Sequence, residues 1–271
     1  MTGSSFGSRW FVGVATAACL AFGGASAAQA QEGSWYIGAN MPLMFIDDSD
    51  ATSTTTVGPI PQFLPQPVSI DATVTTEHDT GFKFGATLGY HIDSSIRIEG
   101  ELFLARADIA QITNTNIIVP GVTLGEFEVP LHPNGKGEQF GAMLNIWYDI
   151  ETGSDWTPYV GAGLGLIRID QSDLYYDQGQ LAREVLDRLP VPPALANQLE
   201  VPELSDTDTA FAYQFGAGIG YALSETATLQ IGYRLQALNG LEFTGTNQIA
   251  SVRAETDLRM HFLEIGIRQL F

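Results

Sequence analysis

Residues 81–92 read GFKFGATLGYHI. Phe82, Phe84, Ala86, Leu88, Tyr90 and Ile92 fall on one parity; Gly81, Lys83, Gly85, Thr87, Gly89 and His91 fall on the other. Successive strand side chains point to opposite faces, so this segment has one apolar face and one face of glycines and polar groups. The alternation recurs in eight stretches, approximately 34–46, 80–92, 95–106, 138–150, 157–169, 210–222, 226–238 and 258–271. A water-soluble sandwich shows the same parity. Strands this long, joined alternately by very short and very long connections, fit a membrane-crossing barrel better. The expected fold is all-β: a closed antiparallel eight-stranded transmembrane up-and-down β-barrel with short periplasmic turns and four long extracellular loops. An even strand count returns both ends to the periplasm.

The face expected to meet lipid carries Trp35, Ile37, Met41 and Leu43 in the first stretch, Phe140, Leu144, Ile146 and Tyr148 in the fourth, and Leu229, Ile231, Tyr233 and Leu235 in the seventh. Aromatics near strand ends, such as Trp35, Tyr90, Tyr148, Tyr221 and Phe271, suit the membrane interface, where a ring stays apolar while its polar edge meets headgroups. The eighth stretch splits. Leu258, Met260 and Phe262 lie on one parity and Leu263, Ile265 and Ile267 on the other, which calls for a bulge or an inward-facing upper half.

Residues 1–30 read as a secretory leader: Arg9 in a short polar start, the apolar run WFVGVATAACLAFGG, then small residues ending in Ala28-Gln29-Ala30. The remaining 31–271 read as one domain. The only cysteine, Cys19, lies inside the expected leader, so the processed chain has no disulfide. Net charge is −19 and becomes −20 without Arg9. No basic stripe neutralises phosphates, which argues against nucleic acid as a partner. The long connections 47–78, 107–138, 170–209 and 238–257 hold 21 acidic residues against four basic ones, leaving the strands nearly neutral. A segment bounded by hydrocarbon requires that segregation.

The start WYIGANMPL, the glycine-rich PYVGAGLGL, the pair FGAGIGY and LQIGYRLQ, and the closing LEIGIRQLF resemble the small outer-membrane β-barrels of Gram-negative bacteria, the OmpA-like and porin-like surface-antigen group. The resemblance implies location in the outer membrane and a terminal aromatic that the barrel-insertion machinery reads. Ile265, Ile267 and Phe271 match that signal, while Gln269 departs from the usual apolar residue. The group hosts adhesins, antigens, structural proteins and narrow channels, so fold alone does not assign a role.

The inward parity holds Lys83, Arg97, Glu99, Glu101, Gln139, Asn145, Gln214, Gln230, Arg234, Glu264 and Arg268. An eight-stranded barrel is just wide enough for side chains to fill, so mixed charges there are expected to pair and plug the lumen. An ion path lined by the same groups is the alternative. Arg106, Arg168 and Arg259 fall on the lipid-facing parity near outer strand ends and are expected to contact lipopolysaccharide phosphates, with snorkelling at the rim as the bland alternative. In the third long connection, GQLAREVLDRL repeats Leu181, Val185 and Leu189 every four residues, which predicts a short amphipathic helix ended by Pro190.

The acidic clusters Asp47-Asp48-Ser49-Asp50 and Asp206-Thr207-Asp208 read as solvated repulsive surface rather than calcium loops. The four histidines lack metal-ligand spacing. No cofactor is expected, because no helix follows the GAGLG and GAGIG turns to cradle phosphate. Barrel lipid-A deacylases set a serine two places after their catalytic histidine; here His261 is followed there by Leu263. The expected role is a non-enzymatic surface protein serving envelope structure, adhesion or surface antigenicity, with outer-membrane lipids and an extracellular loop ligand as partners. The runner-up is a narrow passive channel for ions or small solutes.

Overall fold

The computed structural model describes residues 32–59, 65–119, 122–124, 127–129, 136–172 and 206–271. Among them every regular element is a strand: β1 (Trp35–Asn40), β2 (Leu43–Ile46), β3 (Ser49–Val57), β4 (Val68–His78), β5 (Gly81–His91), β6 (Ile96–Val119), β7 (Val122–Leu124), β8 (Phe127–Val129), β9 (Lys136–Asp149), β10 (Trp156–Ser172), β11 (Asp206–Ala222), β12 (Ala227–Thr246) and β13 (Ala250–Leu270). All pairings are antiparallel, and they run in a ring. β1 to β3 follow one another as a single interrupted stave, broken first at Pro42, which has no N–H to give a ladder. β4 and β5 form the second stave, and six more complete the circle. β13 closes it, pairing with β12 on one edge and with β1, β2 and β3 on the other. No strand of the lower ring is left with a free edge.

At one end the staves are joined by tight turns. Asp93 accepts the N–H groups of Ser95 and Ile96 at 2.7 and 2.6 Å, and Ser224 accepts those of Thr226 and Ala227. Above them runs an outward belt of exposed apolar side chains, among them Phe82, Leu102, Leu144, Leu164, Phe215 and Ile265. From Trp35 to Phe45 the belt covers ten residue steps, about 33 Å along the strand and about 25 Å along the ring axis at a tilt of ~40°. Aromatic pairs mark its lower border: Trp35 with Tyr90 and Trp156 with Tyr221, their centroids 5.0 and 4.6 Å apart.

The strands do not stop where the belt stops. Three of the four expected long loops contain continued sheet: β3 and β4 occupy most of 47–78, β6 runs on to Val119, and β12 and β13 reach a turn at 247–249. That turn is closed by Asn247, whose side chain accepts the N–H groups of Ile249 and Ala250. The expectation of long irregular loops there is corrected. Alternation persists above the belt, but its polarity is reversed. Outward Phe45, Leu104, Leu166 and Leu263 give way to Asp47, Arg106, Arg168 and His261, while inward Asn40, Glu101, Gln214 and Glu264 give way to buried Met44, Phe103, Ala212 and Phe262. Below, the wall is apolar outside and polar inside. Above, it is polar outside and apolar inside, as sheet surrounded by water must be.

This reversal resolves the eighth stretch. Its parity is constant from Val252 to Arg268, with Leu258, Met260 and Phe262 inward and Leu263, Ile265 and Ile267 outward. The register irregularity lies across the pairing instead, between Leu238 and Leu241 of β12, beside Gly240 at φ +69°. The leader at 1–30 and the third long connection with its amphipathic segment lie outside the described residues, and no helix occurs among the described residues.

Candidate functional site

The interior of the lower ring is a single ionic layer. Glu101 on β6 stands at its centre, with Lys83 Nζ 2.8 Å from one carboxylate oxygen and Arg234 Nη1 2.6 Å from the other. Arg234 also reaches Glu264 at 2.8 Å. Nearer the short turns, the Arg97 guanidinium donates through Nε to both oxygens of Asp149 at 3.0 and 3.1 Å, and through Nη1 to Glu99 at 3.3 Å. Arg268 lies 3.6 Å from the same aspartate. Four cations and four carboxylates therefore share the layer, and their side chains are at most 7% exposed. Charge balance is the condition under which a buried set of this size is tolerable.

Neutral groups tie the two halves together. The Tyr36 hydroxyl donates to Glu99 at 2.9 Å and accepts from Arg97 at 3.0 Å. Trp147 Nε1 donates to Glu99 at 3.2 Å, and its ring faces are covered by the guanidinium groups of Arg97 and Arg234 at 5.2 and 4.8 Å. Asn145 donates to Glu99 and Glu101 and accepts from Gln214 at 2.6 Å, which in turn accepts from Gln236. Space for these side chains comes from glycines on neighbouring strands. A Cβ at Gly89 would meet the Tyr36 ring, and one at Gly161 would meet Trp147.

Above lies the apolar layer, where Met44, Phe103, Met143, Ile167, Leu238, Leu241, Met260 and Phe262 are all nearly fully buried. Lys83 marks the boundary, its ammonium 4.0 Å from the centroid of Phe103 and 4.8 Å from that of Phe262. Gln139 sits inside this upper layer rather than in the ionic one, and donates to Met260 Sδ. Gln230 is on the inward parity but only half-buried, near the short turns, with no printed bond to the ionic set. The remaining sequence-predicted lumen residues are brought together. Tyr36, Trp147, Asp149 and Gln236 join them unpredicted, although each lies on the inward parity of its strand and could have been found by extending it.

On the outer wall, Arg106, Arg168 and Arg259 all project outward just above the apolar belt. Arg106 lies 3.6 Å from Asp108. Between belt and rim, a polar chain crosses three strands: Tyr233 bonds His261 Nδ1 at 2.5 Å, and His261 Nε2 lies 3.0 Å from Asp47. Neutral imidazole satisfies both contacts, with Nε2–H directed at the carboxylate and Nδ1 accepting from the phenol. Leu263, two places along the same face, is exposed among belt residues. Ile265, Ile267 and Phe271 are outward and exposed, and the Phe271 N–H donates to the Trp35 carbonyl at 3.0 Å.

An uncharacterized protein of Brucella abortus (strain 2308) is 27% identical over 167 residues, covering 59% of this chain and 52% of the relative. The chain thus spans about half the length of the curated relatives it matches. Among solved structures, OprG from Pseudomonas aeruginosa is similar with a TM-score of 0.47 and 15% identity, covering 90% of this chain and 99% of OprG. Neisserial surface protein A gives 0.42 and 16%, covering 89% of this chain and all of that protein. Residues 15–266 match the family model described as the outer membrane protein beta-barrel domain. With that match spanning most of its length, the chain belongs to the outer membrane β-barrel domain family.

Proposed function

We propose that this chain is a non-enzymatic surface protein of the outer membrane: a closed eight-stave transmembrane β-barrel with a side-chain-filled lumen, serving envelope structure, adhesion or surface antigenicity. The observation that carries the reading is the two-layer interior. A water path would have to break a charge-balanced buried network below and then cross a packed apolar layer above. The belt, about 25 Å high, suits a hydrocarbon core, and the acidic, polar sheet above it is left for the outside.

Arg106, Arg168 and Arg259 stand where a guanidinium meets lipid phosphates without crossing hydrocarbon, so lipopolysaccharide is the proposed lipid partner. Ile265, Ile267 and Phe271 form the proposed face read by the insertion machinery. The alternating connections place both termini on the periplasmic side, after export by the leader at 1–30. The sheet above the belt and the acidic third connection are the proposed surface for an extracellular ligand. Planar-bilayer recording on the purified full chain tests the central statement. A silent bilayer is expected, and steady single-channel steps would instead assign a narrow passive channel.

A further inference from the structure

The wall is joined in two different ways where β11 meets β12. In the lower ring the backbone pairing of these strands climbs to Ala212 opposite Leu238 and ends there. Beyond it β11 stays paired with β10 as far as Asp206 opposite Gln171, and β12 stays paired with β13 as far as Thr246 opposite Ser251. The parting starts at the β12 irregularity beside Gly240. Above it, two side chains span the gap. Asp208 Oδ2 accepts the N–H of Glu242 at 2.8 Å, and Asp206 Oδ2 accepts both the N–H and the hydroxyl of Thr244 at 2.8 Å. Each carboxylate uses its second oxygen on the N–H that follows it, Thr209 for Asp208 and Thr207 for Asp206, which fixes its direction.

The spacing is matched. Two aspartates two residues apart meet two donors two residues apart, and the Ala212–Leu238 register continued upward sets 208 opposite 242 and 206 opposite 244. The opposite border of the tall sheet is treated differently. There the upper part of β6 is covered by main-chain pairing with β7 and β8, as in Ile112 opposite Val129. An open strand edge invites added strands, and carboxylates that occupy its donors are one way to close it.

We infer that this seam is a latched joint of the outer wall: the carboxylates of Asp206 and Asp208 hold the upper edge of β12, and their release parts the wall beside the apolar layer. Behind the joint lie Ala210, Leu238, Leu241 and Phe243, all buried. Side-chain latches let go one at a time, without the cooperative loss of a backbone ladder, so local opening concentrates here. The latches are in place at neutral pH, because the bonds from Thr244 hold the Asp206 carboxyl below the usual carboxylate range.

Amide hydrogen exchange on the full chain in detergent micelles tests the joint. In the unaltered protein the Glu242 and Thr244 amides are protected. In D206A/D208A they exchange faster by about tenfold or more, the worth of a charge-assisted hydrogen bond, while the Ile231 and Tyr233 amides stay as they were. D206N/D208N, which keeps an acceptor oxygen at each site, retains most of the protection. With Leu241→Cys added, maleimide labelling accelerates in the alanine background and not in the asparagine one. The inference is overturned if the alanine pair leaves both amides at their original rates. It is equally overturned if the loss spreads evenly to Ile231 and Tyr233, since the wall would then open as one unit.

Discussion

Replacing Glu101 with Gln keeps the shape of the central side chain of the ionic layer and removes its charge. Four cations would then face three carboxylates. Arg234 retains Glu264 at 2.8 Å, but Lys83 keeps only the faces of Phe103 and Phe262. Ring faces return about 0.5–2 kcal/mol to an ammonium, against several kcal/mol for its desolvation. The expected loss is therefore that of breaking a buried pair, about 3–5 kcal/mol. The double variant K83M/E101Q leaves three arginines opposite Glu99, Asp149 and Glu264, restores the balance, and should recover most of that loss. Urea unfolding from lipid vesicles, followed by tryptophan fluorescence, reads both, and Trp147 reports from within the same layer. A loss under about 1 kcal/mol in E101Q is what a water-screened pair would show, and it would refute the dry, plugged lumen. So would a double variant no more stable than the single one.

Gly89→Ala should cost about 1–3 kcal/mol in the same assay, because a Cβ there runs into the Tyr36 ring, itself held between Glu99 and Arg97. The triple variant R106Q/R168Q/R259Q should fold and insert normally but release lipopolysaccharide on detergent washing, and unchanged retention would remove the lipid-phosphate role. Protection of the Thr244 amide should depend on pH with a definite sign. The folded Asp206 carboxyl lies below its unfolded value near ~3.9, so its contribution is complete above that pH and fades as pH falls through the folded value. Register sets Gln171 of β10 opposite it, with Asp170 and Glu242 as the nearby acids, and D206N should abolish the dependence.

The outward face of the lower ring was fully legible, because lipid demands apolar side chains at every second position and the sequence supplies them in GFKFGATLGYHI and its counterparts. Strand ends were not. Each was placed where the outward parity turned charged, at Asp47, Arg106, Glu138 or Arg168, although the backbone ladder runs on past it. In β3 the run SDATSTTTV shows no apolar alternation at all, and its pairing with β4 is supported by polar cross-strand contacts such as Thr54 to Asp71 and Thr75 to Asp50. Within the lumen, parity selects which side chains point inward but not which of them meet. Glu101 and Arg234 are 133 positions apart, and their contact depends on the stagger of the closed ring. Trp147 escaped notice because an indole at a strand end reads as an interfacial aromatic, and Asp149 because an acid beside a turn reads as solvated.

The polarity reversal links fold to role. Where hydrocarbon covers the outside, the apolar face is spent on lipid, so the interior of the ring has only polar side chains left to fill it. Those must neutralise one another, and the four-against-four balance does so. Once the same staves leave the hydrocarbon, water takes the outer face and the apolar residues turn inward, giving the upper sheet a core of the kind a soluble domain has. A protein built only to be threaded by solute would keep its polar lining from end to end. Here the lining changes from ionic to oily at the level where the outer surface changes from oily to charged. The lower ring therefore acts as an anchor, and the upper sheet is a folded body in its own right, carried above the membrane with its polar face outward. Contacts with the surroundings fall to that face, so substitutions along Thr52, Thr54, Thr73 and Thr75 should leave insertion and stability nearly unchanged while altering what intact cells bind. Loss of surface binding with an unaltered unfolding midpoint is the expected result; equal binding by cells bearing serine at all four positions and by cells bearing lysine would show that the upper sheet is not the contact surface.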